Sequence, residues 1–188
     1  TACTPGTYQP STGQSSCLDA DAGYYVANSA STSQTACTPG TYQPSTGQSS
    51  CLDADAGYYV ANSASTSQTA CTPGTYQPST GQSSCLDADA GNYVNTTAAS
   101  SQTACSNGTY QPSTGQTSCI DTSPGYYVDS YGSASQMACP TGTYQPTSGQ
   151  TSCIDASPGY YVGTSAATSQ TACPAGTYNP SSGSPSLA

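Results

Sequence analysis

Residues 1–34 and 35–68 are identical, residues 69–102, 103–136 and 137–170 vary the same theme, and a half repeat follows over 171–188. A strict period means that one small supersecondary unit recurs and is covered by its neighbours instead of by one large core. Helical arrays also use a period of about 34 residues. Each unit here, however, is rich in Gly, Pro, Ser and Thr and shows no apolar spacing at the helical period, so a helical repeat is excluded. Cysteines stand at 3, 17, 37, 51, 71, 85, 105, 119, 139, 153 and 173, with separations alternating between 14 and 20. Each repeat therefore divides into two unequal halves.

The first half, Cys3 to Cys17, has an extended run Thr7-Tyr8-Gln9, a turn at Pro10-Ser11-Thr12-Gly13 and a polar return, which is the pattern of a short hairpin. The second, Leu18 to Ala36, has a turn ending at Gly23, an extended Tyr24-Tyr25-Val26, a loop of Asn, Ser, Ala and Thr, and a return through Thr35. It predicts a second hairpin with a longer tip. The expected fold class is all-β with low regular structure: an elongated tandem array of 34-residue disulfide-stapled repeats, two short β-hairpins in each. The five copies also act as an internal comparison. Gly6, Thr7, Tyr8, Pro10, Gly13, Gly23, Tyr25 and Val26 keep their type in every full copy. The glycines suit positive φ or a close backbone approach. Tyr25 is constant while Tyr24 becomes Asn92 in the third copy, so Tyr25 is expected inward and Tyr24 outward. Leu18 changes only to Ile120 and Ile154, a volume-conserving exchange expected of a buried position. The predicted core of one unit is Tyr8, Leu18, Tyr25, Val26 and a cystine, too little to stand without cross-links or neighbours.

Composition limits what such an array can do. The chain has nine acidic residues, all Asp, and no Lys, Arg or His, for a net charge of −9. Without side-chain cations it has no footprint for phosphate, so nucleic acid and anionic lipid are not expected partners. A trypsin-like protease has no site to cut. Eleven cysteines in a chain without Trp or Phe read as structural staples and place it in an oxidising compartment, extracellular or at the cell surface. No apolar run nears the roughly 20 residues of a membrane helix, so no direct membrane insertion is expected. The absence of an initiator Met reads as an excised or processed segment, and the closing string, which stops where its next Cys would fall, is expected to continue with more repeats.

The string Cys3-Thr4-Pro5-Gly6-Thr7-Tyr8, closed by Cys17, recurs from Cys37, Cys71, Cys105 and Cys139, and Cys173-Pro174-Ala175-Gly176-Thr177-Tyr178 opens it once more. It resembles the first hairpin module of tumour-necrosis-factor-receptor-type cysteine-rich domains and is similar to the ephrin-receptor-like CPAGTY repeats. The resemblance covers nearly the whole chain and implies a surface module whose hairpins are closed as Cys3–Cys17, Cys37–Cys51, Cys71–Cys85, Cys105–Cys119 and Cys139–Cys153, leaving Cys173 over. Pairing across the longer interval, which would join successive repeats, stays open as the alternative. One departure matters: Ala20 and Gln34 stand where the related repeats carry additional cysteines. Cys173 either pairs in a continuing array or links two chains.

Without His, Lys, Arg or Glu there is no triad, no Schiff-base lysine and no histidine metal site, so no enzyme activity and no organic cofactor are expected. Asp19 and Asp21, repeated as Asp53/Asp55 and Asp87/Asp89, open like a calcium loop, which makes Ca²⁺ the one candidate ion. No bidentate Glu follows, and the plainer reading has the constant Asp bonding turn amides. Asn95-Thr96-Thr97 and Asn107-Gly108-Thr109 are N-glycosylation sequons, and eleven of the first 34 residues are Ser or Thr, open to O-linked glycan. An ice-binding Thr row is discounted because Pro and Gly interrupt it. The expected partners are further copies of the chain and covalent glycans. The expected role is a structural component of a filament, stalk or coat. Its rival is an adhesin or receptor stalk that spaces a binding domain from the cell, with Tyr24, Tyr58 and Tyr127 outward to make contacts.

Overall fold

The computed structural model describes residues 2–186. Among them there is no helix, and the regular structure is ten two-stranded antiparallel hairpins. In the first repeat β1 (Thr7–Tyr8) pairs with β2 (Leu18–Asp19), and β3 (Tyr24–Tyr25) pairs with β4 (Thr35–Ala36). The registers are Tyr8 opposite Leu18 and Tyr25 opposite Thr35. Thr7 to Tyr24 and Leu18 to Thr35 are both 17 positions, so the two halves are one structural unit used twice. This corrects the expectation of unequal hairpins. Cysteines mark only alternate hairpins, so their spacing reports the chemistry of closure and not the length of the loops.

The chain divides by its contacts into two units, one of Thr1–Asp87 with Thr96–Ser101 and the other of Ala88–Asn95 with Gln102–Ala188. In the first unit each hairpin is locked to the next by three backbone hydrogen bonds. Gly6 N–H donates to the Val26 carbonyl (2.8 Å), Gln9 N–H to that of Ser31 (3.0 Å), and Ala30 N–H back to that of Cys3 (2.8 Å). The same set recurs 17 residues on: Gly23 to Gln43 (2.8 Å), Val26 to Gln48 (3.0 Å) and Gly47 to Ala20 (2.8 Å). In the second unit it appears as Gly125 to Gln145 (2.7 Å), Val128 to Gln150 (3.0 Å) and Gly149 to Thr122 (2.9 Å). Two-residue strands are marginal alone. Bonding their free edges to the next hairpin satisfies amides that would otherwise rely on water.

The interior is two narrow columns of small side chains. One alternates Ala and Cys, with Ala20, Cys37, Ala54 and Cys71 of the first unit all buried. The other alternates Val and Gln, as Val26, Gln43, Val60 and Gln77. This revises the predicted core. Val26 and Cys3 are buried, but Tyr8 and Tyr25 are half-buried, and Leu18 is 48% exposed, as are its counterparts Ile120 (46%) and Ile154 (44%). Nor do the tyrosines divide by face, since Tyr24, Tyr58 and Tyr127 are half-buried like Tyr25. The physical reason is room: hairpins bonded backbone to backbone leave space for Ala, Cys or Val, and for a Gln whose amide is bonded at both ends, but not for Leu. The Leu-to-Ile exchange reflects a β-strand preference on an outer face.

Each hairpin tip needs one residue at positive φ. Gly13, Gly47, Gly81, Gly115 and Gly149 supply it in the first hairpin of each repeat (φ 70–79°), whereas Ala30, Ala64, Ala98 and Ala166 are held at φ 54–57° in the second. In the fourth repeat the chain itself uses Gly132 there (φ 70°). An Ala forced into this region costs about 1 kcal/mol. Ala64→Gly should therefore raise stability by about that amount, read as an increase in the urea midpoint, while Ala61→Gly nearby should not.

Candidate functional site

The chemistry that recurs along this chain is how each hairpin is closed. In the first hairpin of every repeat a disulfide does it: Cys3–Cys17, Cys37–Cys51, Cys71–Cys85, Cys105–Cys119 and Cys139–Cys153, with Cα atoms 5.7–5.8 Å apart. Cys173 is a free, half-buried thiol. In the second hairpin Ala20 and Gln34 occupy the places of the two cysteines, and the glutamine side chain forms a clamp. Gln34 Oε1 accepts from Asp21 N–H (2.7 Å) while its Nε2 donates to Asp21 Oδ2 (2.6 Å). Gln68 on Asp55 and Gln102 on Asp89 repeat both bonds. In the fourth and fifth repeats Gln136 and Gln170 keep the amide bond to Ser123 and Ser157 (2.7 Å each), but the second arm reaches only a serine hydroxyl, at 3.4 and 3.5 Å. A charge-assisted bond exceeds a long neutral one. Gln68→Ala should thus lower stability by about 1 kcal/mol and Gln136→Ala by less, a difference that paired urea titrations resolve.

A second glutamine works inside the first hairpin. Gln43 is 4% exposed, and its Nε2 donates to the Ser50 carbonyl (2.9 Å) while its Oε1 accepts from Ser45 N–H (3.1 Å). The amide thus spans the tip loop with both ends satisfied, as a buried polar group requires. Gln77, Gln111 and Gln145 do the same. The sequence reading missed both glutamines. Their signal was present, because each keeps its type in all five copies.

The Asp residues singled out as calcium ligands serve different neighbours. Asp21 and Asp55 are taken up by the clamps, while Asp19 lies against the tip glycine Gly47 of a later hairpin and Asp53 against Gly81. Asp87 is the counterpart of Asp19, and Asp89 is held by Gln102. No group of three or more metal-ligating side chains occurs among the described residues. Of the two sequons, Asn95 is exposed with Thr97 beside it, whereas Asn107 is half-buried and its Oδ1 is buried without a hydrogen-bond partner. No helix among the described residues is long and apolar enough to cross a membrane.

Residues 125–173 match a family model described as tyrosine-protein kinase ephrin type A/B receptor-like. No curated protein matches the chain. The matched stretch takes in a whole clamp-closed hairpin, the disulfide-closed one that follows and the next clamp-closed one, and ends at Cys173. Together with the five disulfide-stapled tandem units, it fits cysteine-rich ephrin-receptor-like repeats. These repeats are a disulfide-rich, receptor-type or structural module typical of extracellular domains.

Proposed function

We propose that this chain is a length of an extracellular filament, stalk or coat, built from further copies of the same repeat and carrying glycan. The observation that carries the reading is the three-bond backbone register, which repeats from hairpin to hairpin within each unit and uses no residue outside the unit's own pattern. A chain that adds hairpins through one repeated register presents the same outer surface again and again. Identical surfaces at a fixed interval favour heterologous contacts, which build open assemblies. An acidic surface without cations opposes close lateral packing by charge alone. Side-by-side contact between copies would therefore use the half-exposed Leu, Ile and Tyr side chains and the many hydroxyls. Glycan would sit on Ser and Thr at the tips and on Asn95, whose carboxamide is open, in preference to Asn107.

The receptor-like description of the matching family favours one other reading, a stalk that holds a binding domain away from the surface. Electron microscopy of native material with intact-mass measurement separates them. The filament reading expects regular fibres and masses above that of the polypeptide, with glycopeptides carrying Asn95. Isolated single chains ending in a dissimilar domain would overturn it in favour of the stalk.

A further inference from the structure

We infer that the surface carries one neutral-saccharide hollow per repeat, walled by the tyrosine of the clamp-closed hairpin. Three such hollows are defined. The first lies beside Tyr25 and is lined by Thr38, Thr41, Ser50 and Cys51, with a volume of about 260 Å³. The second lies beside Tyr59, with Thr72, Thr75, Ser84 and Cys85, at about 280 Å³. The third, in the other unit, lies beside Tyr93, with Asn95, Ser106, Thr109, Ser118 and Cys119, at about 300 Å³ in the chain without glycan on Asn95. The same positions return each time, so the hollow is a property of the repeat and not of one local arrangement.

The 17-residue equivalence says why there is one hollow per repeat and not two. Beside Tyr25 the next hairpin presents Thr41 and Cys51. Beside Tyr8 the equivalent positions hold Tyr24 and Gln34, side chains large enough to fill a hollow of this size. The alternation of Thr with Tyr and of Cys with Gln, which exchanges a disulfide for a clamp, also opens and closes the outer face.

The lining points to a ligand class. It offers an aromatic ring, hydroxyl groups and no charge. The Thr41 hydroxyl donates to the Thr38 carbonyl (2.8 Å) and so turns its lone pairs outward, while the Tyr25 and Ser50 hydroxyls make no hydrogen bond among the described residues. An aromatic platform with unspent hydroxyls matches a sugar, whose C–H face lies on the ring while its O–H groups exchange bonds with Thr, Ser and Tyr. The volume sits at or below the low end of the roughly 300–1,000 Å³ of drug-sized sites, the scale of a single ring. A chain of net charge −9 without a cation repels acidic sugars, which leaves neutral ones. Each site alone is shallow and weak. A polysaccharide that meets several at a fixed interval gains from their number.

The test uses the full chain with its disulfides formed, titrated with chitotriose, cellotriose and maltotriose, and with sialyllactose as the acidic control, while tyrosine ring resonances are followed by NMR. The expected result is a shift of the Tyr25, Tyr59 and Tyr93 rings by at least one neutral trisaccharide, at least tenfold weaker with sialyllactose. The double variant T41Y/T75Y fills the first two hollows with the residue the chain already carries at the equivalent Tyr24 and Tyr58. It should abolish the shifts at Tyr25 and Tyr59 and leave that at Tyr93. Should that variant fail to fold, Tyr25→Phe with Tyr59→Phe keeps the rings and should weaken binding several-fold at those two sites. No ring shift with any neutral trisaccharide at millimolar concentration, equal binding by the filled variant, or a preference for sialyllactose would each overturn the inference.

Discussion

Replacing Gly57 by alanine is expected to cost about 4 kcal/mol and to unseat the hairpins around it, whereas the same change at Gly13 should cost only about 1 kcal/mol. Both glycines have positive φ, 85° and 79°. They differ in what a methyl group would meet. At Gly13 there is open space, while at Gly57 the new Cβ would fall on the carbonyl oxygen of Ala98, well inside van der Waals contact. That backbone cannot move aside cheaply. Ala98 N–H is bonded to the Cys71 carbonyl (2.9 Å), and Gly57 N–H is itself bonded to Gln77 (2.8 Å). Relief of the clash therefore breaks the register. The same geometry holds at Gly6, Gly23 and Gly40, whose added Cβ would meet Gly47, Ala64 and Gly81. Urea titration of G57A against G13A, with amide exchange to locate the opening, measures the contrast. Equal losses would refute the role of close backbone approach.

Reduction of the disulfides is the second large effect. Closing a 14-residue interval is worth about 3 kcal/mol per bridge in the chain-entropy account. The apolar core that remains, Val and Ala in narrow columns, cannot replace five such contributions. Reduced protein should unfold without denaturant, and the double variant Cys37→Ala with Cys51→Ala should open its hairpin first. Proteolysis gives a direct readout, since trypsin finds no Lys or Arg in either state while chymotrypsin can use the tyrosines. In the oxidised chain these are mostly half-buried in two-residue strands; Tyr131 (74%) and Tyr178 (65%) are far more exposed than Tyr160 (38%), which is held in a strand. Oxidised protein should be cut slowly and near Tyr131 and Tyr178, and reduced protein rapidly at many tyrosines. Unchanged cleavage after reduction would show that the backbone register suffices alone. Because stability in such arrays is nearly a sum over neighbours, each lesion should stay local before it spreads.

Much of this was legible in the residues. The 34-residue identity required a stack of small units, and the composition excluded a large core, helices and ionic side-chain pairing. A finer period lies beneath the 34-residue one. Gly6, Gly23, Gly40 and Gly57 begin a series at every seventeenth position, and Tyr8, Tyr25, Tyr42 and Tyr59 another. Cysteines dominate the eye and obey the longer period, so they hid the shorter one. The hollow beside Tyr25 depends on that shorter period and on which of two equivalent positions holds the larger side chain, a comparison that needs the register first.

The amino-acid sequence thus determined by itself the repeat, its turns and its dependence on cross-links, because these follow from periodicity, from glycine's freedom and from the want of apolar side chains. Only the tertiary structure decided which side chains face inward. In a two-residue strand the inside is not chosen by hydrophobicity, as the exposed Leu18 and the buried Gln43 demonstrate. It is chosen by how closely one backbone approaches the next, and that distance admits Cys, Ala and Val, and Gln where both ends of its amide are bonded.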